Sequence, residues 1–282
     1  MANDDLVEQL WRNGLITDEK VKEAFKKVQP FHKYQLPLCD THTHTHIHMT
    51  TDINPSIYHD PNKTKSADQI QVDRANYAPS SPYRDYPQSI GHSATISAPH
   101  MHATAVEHLL PYLTPSPRNP APRVLDIGSG SGYLTHVIAE LTGEQGTVVG
   151  VEHIPQLRDL GEANFSKSER GRELLASGRV RLRVGDGRKG WVEPDEREEG
   201  KEKKGGWDAI HVGASAVELQ QELVDQLRAP GRMFIPVDDT PGVEKAQHIW
   251  AVDKDEKGVI TRKKLFAVRY VPLTDPPEES KV

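Results

Sequence analysis

Residues 124–132 read Val124-Leu125-Asp126-Ile127-Gly128-Ser129-Gly130-Ser131-Gly132, an apolar strand that runs into glycines at alternate positions. Glycine adopts left-handed backbone without steric cost and lets the main chain approach a ligand closely. The segment therefore predicts a strand, a tight turn and a helix, with something bound at the turn. Two common occupants are excluded: the dinucleotide fingerprint needs a glycine where Tyr133 stands, and no Gly-Lys-Ser/Thr follows to make a P-loop. Around this turn, apolar runs at 123–127, 147–151, 180–184, 207–212 and 232–237 alternate with helical patterns, notably at 133–141, 154–168 and 217–227. Strands separated by helices imply parallel pairing, so the expected fold class is α/β with a doubly wound, mostly parallel sheet. Runs at 248–252 and 265–271 are expected to close it as an antiparallel pair.

Three acidic residues end successive strands of this scheme. Asp126 is placed to help hold the ammonium of an amino-acid tail. Glu152 lies 24 residues beyond Gly128, where a carboxylate accepts from ribose hydroxyls. Asp186, followed by Gly187, stands where an acid meets an adenine amino group. Each alone reads equally well as a helix cap or a turn residue. Their spacing beside the glycine loop, with no phosphate cradle, points to S-adenosylmethionine as cofactor.

The first part of the chain is organised differently. Leu6, Val7, Leu10 and Trp11 recur at helical spacing, Asn13-Gly14 breaks the run, and Thr17 heads a second turn carrying Val21, Ala24 and Phe25. From residue 28 to 71 no hydrophobic period survives, and Thr-His alternates from Thr41 to His46. Such a stretch is expected to be a disordered insertion. Its histidines have the types but not the fixed geometry and supporting shell of a metal site, so no metal is expected. Order is expected to resume near Val72, with a Pro- and Tyr-rich loop at 77–86 and a helix at 99–113 stopped by Thr114-Pro115-Ser116-Pro117. The charged stretch 193–204 reads as a solvated loop, and Trp191, Trp207 and Trp250 as packing residues.

Composition narrows the setting. Thirty-five basic against 41 acidic residues give a net charge of −6, which argues against a general nucleic-acid binder. No apolar run approaches the ~18 residues of a membrane span, and the acidic start of the chain lacks a secretory h-region. The lone Cys39 fits a reducing compartment. A cytoplasmic monomer is the expectation.

Tyr86-Pro87-Gln88-Ser89-Ile90-Gly91 and then Ala94-Thr95-Ile96-Ser97-Ala98-Pro99-His100-Met101-His102-Ala103 closely resemble the substrate-side motif of protein-L-isoaspartate O-methyltransferases. Further matches are 125–132, Gly150-Val151-Glu152-His153-Ile154, Ser177-Gly178-Arg179-Val180, Gly185-Asp186-Gly187-Arg188, Asp208-Ala209-Ile210-His211-Val212-Gly213-Ala214 and Tyr270-Val271-Pro272-Leu273-Thr274. The resemblance implies a class I, Rossmann-like methyltransferase fold with an N-terminal helical segment. It also implies methylation of the α-carboxylate of L-isoaspartyl residues in damaged proteins, D-aspartyl residues being left open. The ester then collapses to a succinimide whose hydrolysis returns some normal aspartate. By position, Ser97 matches the family's active-site serine. Ala94, Thr95, Ile96, Ser97, His102, Ser131, Glu152, His153, Asp186, Gly187 and Thr274 match its cofactor-contacting positions, to which the loop residues Asp126, Gly128, Gly130 and Gly132 are added. The family often has aspartate at Glu152, one methylene shorter.

The chemistry agrees with these residue types. A carboxylate with a reference pKa near ~4 is already ionised at neutral pH and needs no strong base. The sulfonium is itself an activated donor. What the protein must add is alignment, which suits a serine hydroxyl as hydrogen-bond donor and not as nucleophile. Two other classes stay open: a methyltransferase for another substrate, against which the intact Ser97 motif counts, and a non-catalytic cofactor-binding adaptor, which degraded cofactor residues would have favoured.

The expected organisation is N-terminal helices at 1–27, the insertion at 28–71, the catalytic domain at 72–275 and a flexible tail at 276–282. The insertion has the marks of a translated, retained intron. The family runs from a helix ending in Ala24-Phe25-Lys26-Lys27 directly into a Val-Asp-Arg-x-x-Tyr segment, which here is Val72-Asp73-Arg74-Ala75-Asn76-Tyr77, 44 residues late. Val28 is encoded by GTN, a 5′ splice dinucleotide, and Gln71 is compatible with a terminal CAG. Ala67-Asp68 is compatible with GCTGAC, which resembles a fungal branch site, and an ACAC repeat encodes Thr-His alternation.

Overall fold

The computed structural model describes residues 3–26, 73–194, 206–239 and 246–273. Five strands, β3 (Arg123–Ile127), β4 (Thr147–Glu152), β5 (Val180–Val184), β6 (Trp207–Val212) and β7 (Leu227–Asp238), pair in parallel in the order β5-β4-β3-β6-β7. β8 (Gln247–Lys254) and β9 (Ile260–Val268) extend that sheet by antiparallel pairing beyond β7. The inner strands β3 and β4 are rich in Val, Leu and Ile because both sheet faces are covered there, whereas the edge strand β5 alternates Val-Arg-Leu-Arg-Val. Along β3, Leu125 and Ile127 join one core cluster while Val124 joins the other. Asp126 thereby shares the side of Val124, as strand alternation requires. That side is covered by α3 (Pro99–Leu113) and α4 (Tyr133–Leu141).

The N-terminal helices, α1 (Asn3–Arg12) and α2 (Glu19–Lys26), bury Leu6, Val7, Leu10, Val21, Ala24 and Phe25 in the same cluster. Asp18 caps α2 locally, its Oδ1 accepting from the Lys20 N–H at 2.7 Å, whereas the Thr17 and Asp18 N–H groups find their acceptor far away in sequence. Glu107 of α3 accepts from both backbone N–H groups at 2.6 and 2.8 Å and from the Thr17 hydroxyl at 3.0 Å. No local motif signals that long-range contact.

Several boundaries differ from the sequence reading for identifiable reasons. The helix expected at 154–168 is α5 (Pro155–Phe165), followed by a separate α6 (Glu169–Ala176) whose N-cap Ser168 accepts from the Gly171 N–H at 3.0 Å. The helix expected at 217–227 shortens to α7 (Gln221–Gln226), because Ser215 and Ala216 are bridged to Pro272 and Val237. β9 begins at Ile260 and not near Leu265: its first half is Thr-Arg-Lys-Lys, exposed at the sheet edge, where charged residues suppress the alternating pattern. Inside the stretch carrying the Ser97 motif lies a hairpin that its polar sequence did not announce, β1 (Gln88–Gly91) and β2 (Ala94–Ile96). Its turn residues His92 and Ser93 both have positive φ, 50° and 58°, as a two-residue hairpin turn demands. The insertion at 28–71, nearly all of the charged stretch 193–204, Thr274 and the tail at 276–282 lie outside the described residues.

Candidate active site

β3 pairs with β4 on one side and β6 on the other, while the connections from β3 and from β5 lead away in opposite directions. Ligands of open α/β sheets bind at such a switch point, outside the carboxyl ends of the strands. Here the backbone opens where β3 and β6 end. Gly128, Gly130 and Gly132 all have positive φ (74°, 51° and 84°), and a Cβ on Gly213 would stand 3.2 Å from the Gly128 carbonyl oxygen. Two hollows meet across Thr95, Gly128, Gly130 and Gly213.

The first hollow is bounded by Glu152, His153 and Gly187, with apolar walls from Val151, Leu157 and Leu273 and with Ala94 and Ile90 of the hairpin above. Glu152 is almost fully buried. Its Oε2 accepts from the Gly130 N–H at 3.0 Å and its Oε1 from the His153 and Ile154 N–H groups at 2.9 and 3.1 Å. About one of the carboxylate's roughly four lone-pair sites is left for a ligand. A grip on both ribose hydroxyls therefore requires one of these bonds to be shared.

The second hollow holds Ser97, His102, Asp126, Ser131, Tyr133 and His211, with Ile96 at its edge. Ser97 follows β2 and precedes α3, and its carbonyl accepts from the Arg74 guanidinium at 2.8 Å. Tyr270 is close enough to the Ser97 side chain to be influenced by it, and burial pushes its pKa up to about 12, against the opposing effect of the Ser97 hydroxyl, so it stays protonated. Asp126 and His211 are direct partners in the β3–β6 register, and Oδ1 receives the His211 Nδ1–H at 2.7 Å. Oδ2 accepts from Thr135 at 2.5 Å. Both oxygens of the acid proposed for the ammonium are thus already engaged within the protein.

Two of the residues singled out from sequence stand aside from the hollows. Gly132 is the left-handed N-cap of α4, where a Cβ would meet Phe165 at 3.0 Å. Asp186 caps the 3-10 turn Gly187–Lys189 and makes a two-pronged contact with Arg188 at 2.8 and 3.0 Å, which holds its pKa below the usual carboxylate value. Thr274 lies outside the described residues.

Neither hollow is lined by a lysine or arginine among the described residues. That donor set suits a ligand with no phosphate and a cationic centre, which S-adenosylmethionine is.

The family model "Protein-L-isoaspartate(D-aspartate) O-methyltransferase" matches residues 49–278. The chain belongs to this family. A protein-L-isoaspartate O-methyltransferase of Caenorhabditis elegans is 44% identical over 208 residues, covering 74% of this chain and 83% of that protein. Protein-L-isoaspartate O-methyltransferase 2 of Arabidopsis thaliana is 45% identical over 210 residues, covering 74% of this chain and 61% of that longer protein. A crystal structure from Plasmodium falciparum, assigned to the same activity and solved with S-adenosyl-L-homocysteine, superposes with a TM-score of 0.70 at 28% identity, covering 97% of this chain and 99% of that one. The chain is therefore a methyltransferase that uses S-adenosylmethionine and acts on isoaspartyl residues of damaged proteins.

Sequence reading of this methyltransferase did not single out Arg74 or Tyr270 as site residues, although both lie in quoted motifs. The signal available was the cost of burying polar groups: Arg74 is 0% exposed, and an arginine is rarely buried without a purpose. Among the described residues no helix is long and apolar enough to cross a membrane.

Proposed function

We propose that the hollow around Glu152 receives the adenosine of S-adenosylmethionine, that the hollow around Asp126 and His211 receives its amino-acid tail, and that Ser97 receives the isoaspartyl α-carboxylate. When bound, the cofactor supplies a methyl group already activated by the sulfonium. The substrate carboxylate arrives ionised, so no proton has to be removed. The protein contributes alignment. Arg74 anchors the Ser97 carbonyl, which fixes the backbone from which the serine hydroxyl reaches one carboxylate oxygen. The observation that carries this reading is the meeting of Ser97 with the glycine loop in one hollow. Labelled cofactor is expected to methylate an isoaspartyl peptide and to leave the matching aspartyl peptide unlabelled. Equal labelling of the two peptides, or none by folded protein, overturns it.

Residues 28–71 are proposed to be intronic sequence retained in translation, the surrounding chain forming one catalytic unit. Support comes from the flanks: Phe25 before the insertion and Tyr77 after it both pack against the Tyr133 ring, with centroids at 6.3 and 5.6 Å. The two ends arrive at one place, so a direct join suits the fold. Sequencing of transcripts is expected to find messages lacking codons 28–71; messages that uniformly contain them refute the proposal. With or without residues 28–71 the chain has no pair of cysteines to form an intrachain disulfide, which supports a cytoplasmic location, and the monomeric state is proposed with it.

A further inference from the structure

Two histidines line the second hollow, and each has its Nδ1 committed to a partner of opposite character. His102, on α3, is 7% exposed, and its Nδ1 lies 3.3 Å from an Arg74 guanidinium nitrogen. Arginine only donates, so that Nδ1 accepts and the neutral ring carries its proton on Nε2. His211, on β6, is 5% exposed, and its Nδ1 lies 2.7 Å from Asp126. A carboxylate only accepts, so that Nδ1 carries the proton and the neutral ring keeps its lone pair on Nε2. Among the described residues neither Nε2 has a hydrogen-bond partner, and both rings face the same hollow.

We propose that Arg74 and Asp126 are positioning residues that fix opposite tautomers on His102 and His211, so that the pair reads the zwitterionic end of the cofactor. His102 Nε2–H donates to the carboxylate of the methionine tail, and His211 Nε2 accepts from its ammonium. Asp126, with both oxygens occupied, acts on the ammonium through His211 and not by touching it. Burial and the neighbouring Arg74 charge hold the His102 pKa well below its ordinary value, which keeps this ring in the neutral form the scheme requires. Arg74 itself is fully buried with its Nε unpartnered among the described residues, and it stands over the Tyr133 ring at 4.7 Å. The inference rests on the reading that this hollow receives the cofactor's tail.

The test is calorimetric titration of the full chain with S-adenosylhomocysteine and two analogues, one lacking the carboxylate and one lacking the amino group. His102→Phe is expected to weaken the complete ligand by ~10-fold or more and to leave the analogue without a carboxylate almost unchanged. His211→Phe is expected to behave alike, except that the insensitive analogue is the one without an amino group. Arg74→Met and Asp126→Asn are expected to copy the selectivity of their own histidines. Equal losses for all three ligands, or the opposite pairing, overturn the proposal. Should a variant fail to fold, nitrogen-15 spectra of the unaltered chain decide. The expected result is His102 protonated at Nε2 and His211 at Nδ1; the same tautomer at both sites overturns it. Binding without analogue selectivity defeats this inference alone, whereas no binding of S-adenosylhomocysteine by the unaltered chain defeats the cofactor reading with it.

Discussion

Glu152→Ala is expected to lower the affinity for S-adenosylhomocysteine by ~10- to 100-fold, while Ser97→Ala lowers turnover by ~10²-fold and leaves that affinity within about a factor of two. The asymmetry follows from where the two side chains stand. Glu152 faces the hollow walled by Val151, Leu157 and Leu273, and hydrogen bonds to a charged group are worth roughly 1.5–3 kcal/mol each. The same carboxylate holds the Gly130 N–H, so its removal also loosens the glycine loop on which the cofactor rests. Glu152→Gln separates these two effects, because an amide oxygen keeps one acceptor while the charge is lost. Ser97 is half-buried at the other end of the cleft, tethered through its carbonyl by Arg74, so its backbone keeps its place when the hydroxyl is removed. Calorimetry and steady-state kinetics on the same preparations check both statements. A Ser97→Ala protein that no longer binds, beside a Glu152→Ala protein that binds normally, reverses the assignment.

The parts of this molecule that were legible in its sequence are those set by short-range physics. β3, β5 and β6 match the runs that predicted them residue for residue: β3 and β6 because a strand buried on both faces has little freedom of composition, and β5 because its buried Val180 and Leu182 alternate with arginines at strand period. α4 likewise starts where the glycine loop ends. The parts that were not legible depend on distant partners. The turn leading into α2 is held by a side chain of α3, the occupation of Asp126 is decided by Thr135 and by a strand 85 residues away, and Asp186 is drawn to Arg188 by an ion pair that no strand-end rule anticipates. In the site, sequence spacing identified which residues gather, and motif resemblance identified Ser97. Neither revealed which hydrogen bonds each group had already spent within the protein. Arg74 was missed for the same reason, since it holds the Ser97 carbonyl from a segment remote in sequence.

Acidification is expected to destabilise this protein before its carboxylates titrate. His136 of α4 is 0% exposed, stacked on Phe165 at 4.5 Å, and its Nδ1 accepts from the Tyr77 hydroxyl at 2.5 Å. Burial, with a smaller effect of Arg170, lowers its pKa to about 3. In the unfolded chain the same ring titrates near ~6.5. Between those two values the unfolded state binds a proton that the native state refuses, so stability falls as pH falls through the window, by about 1.4 kcal/mol per pH unit. His102, depressed in the same direction by burial, adds to the slope over the part of the window above its own folded value. From pH 6.5 to pH 5 the His136 proton alone costs about 1.6 kcal/mol, a substantial part of the ~5–15 kcal/mol that holds a typical domain. Urea unfolding at a series of pH values measures this directly. His136→Asn keeps an acceptor near the Tyr77 hydroxyl and cannot titrate, so it is expected to reduce the slope by about one proton's worth, ~1.4 kcal/mol per pH unit, even if it lowers stability at neutral pH. A slope that His136→Asn leaves unchanged would show that some other group gates the transition. His136 and Tyr133 share α4, and Tyr77 packs on both rings. The wall that a proton at His136 would break is therefore the wall behind the glycine loop, and cofactor binding is expected to fail over the same pH range as the fold.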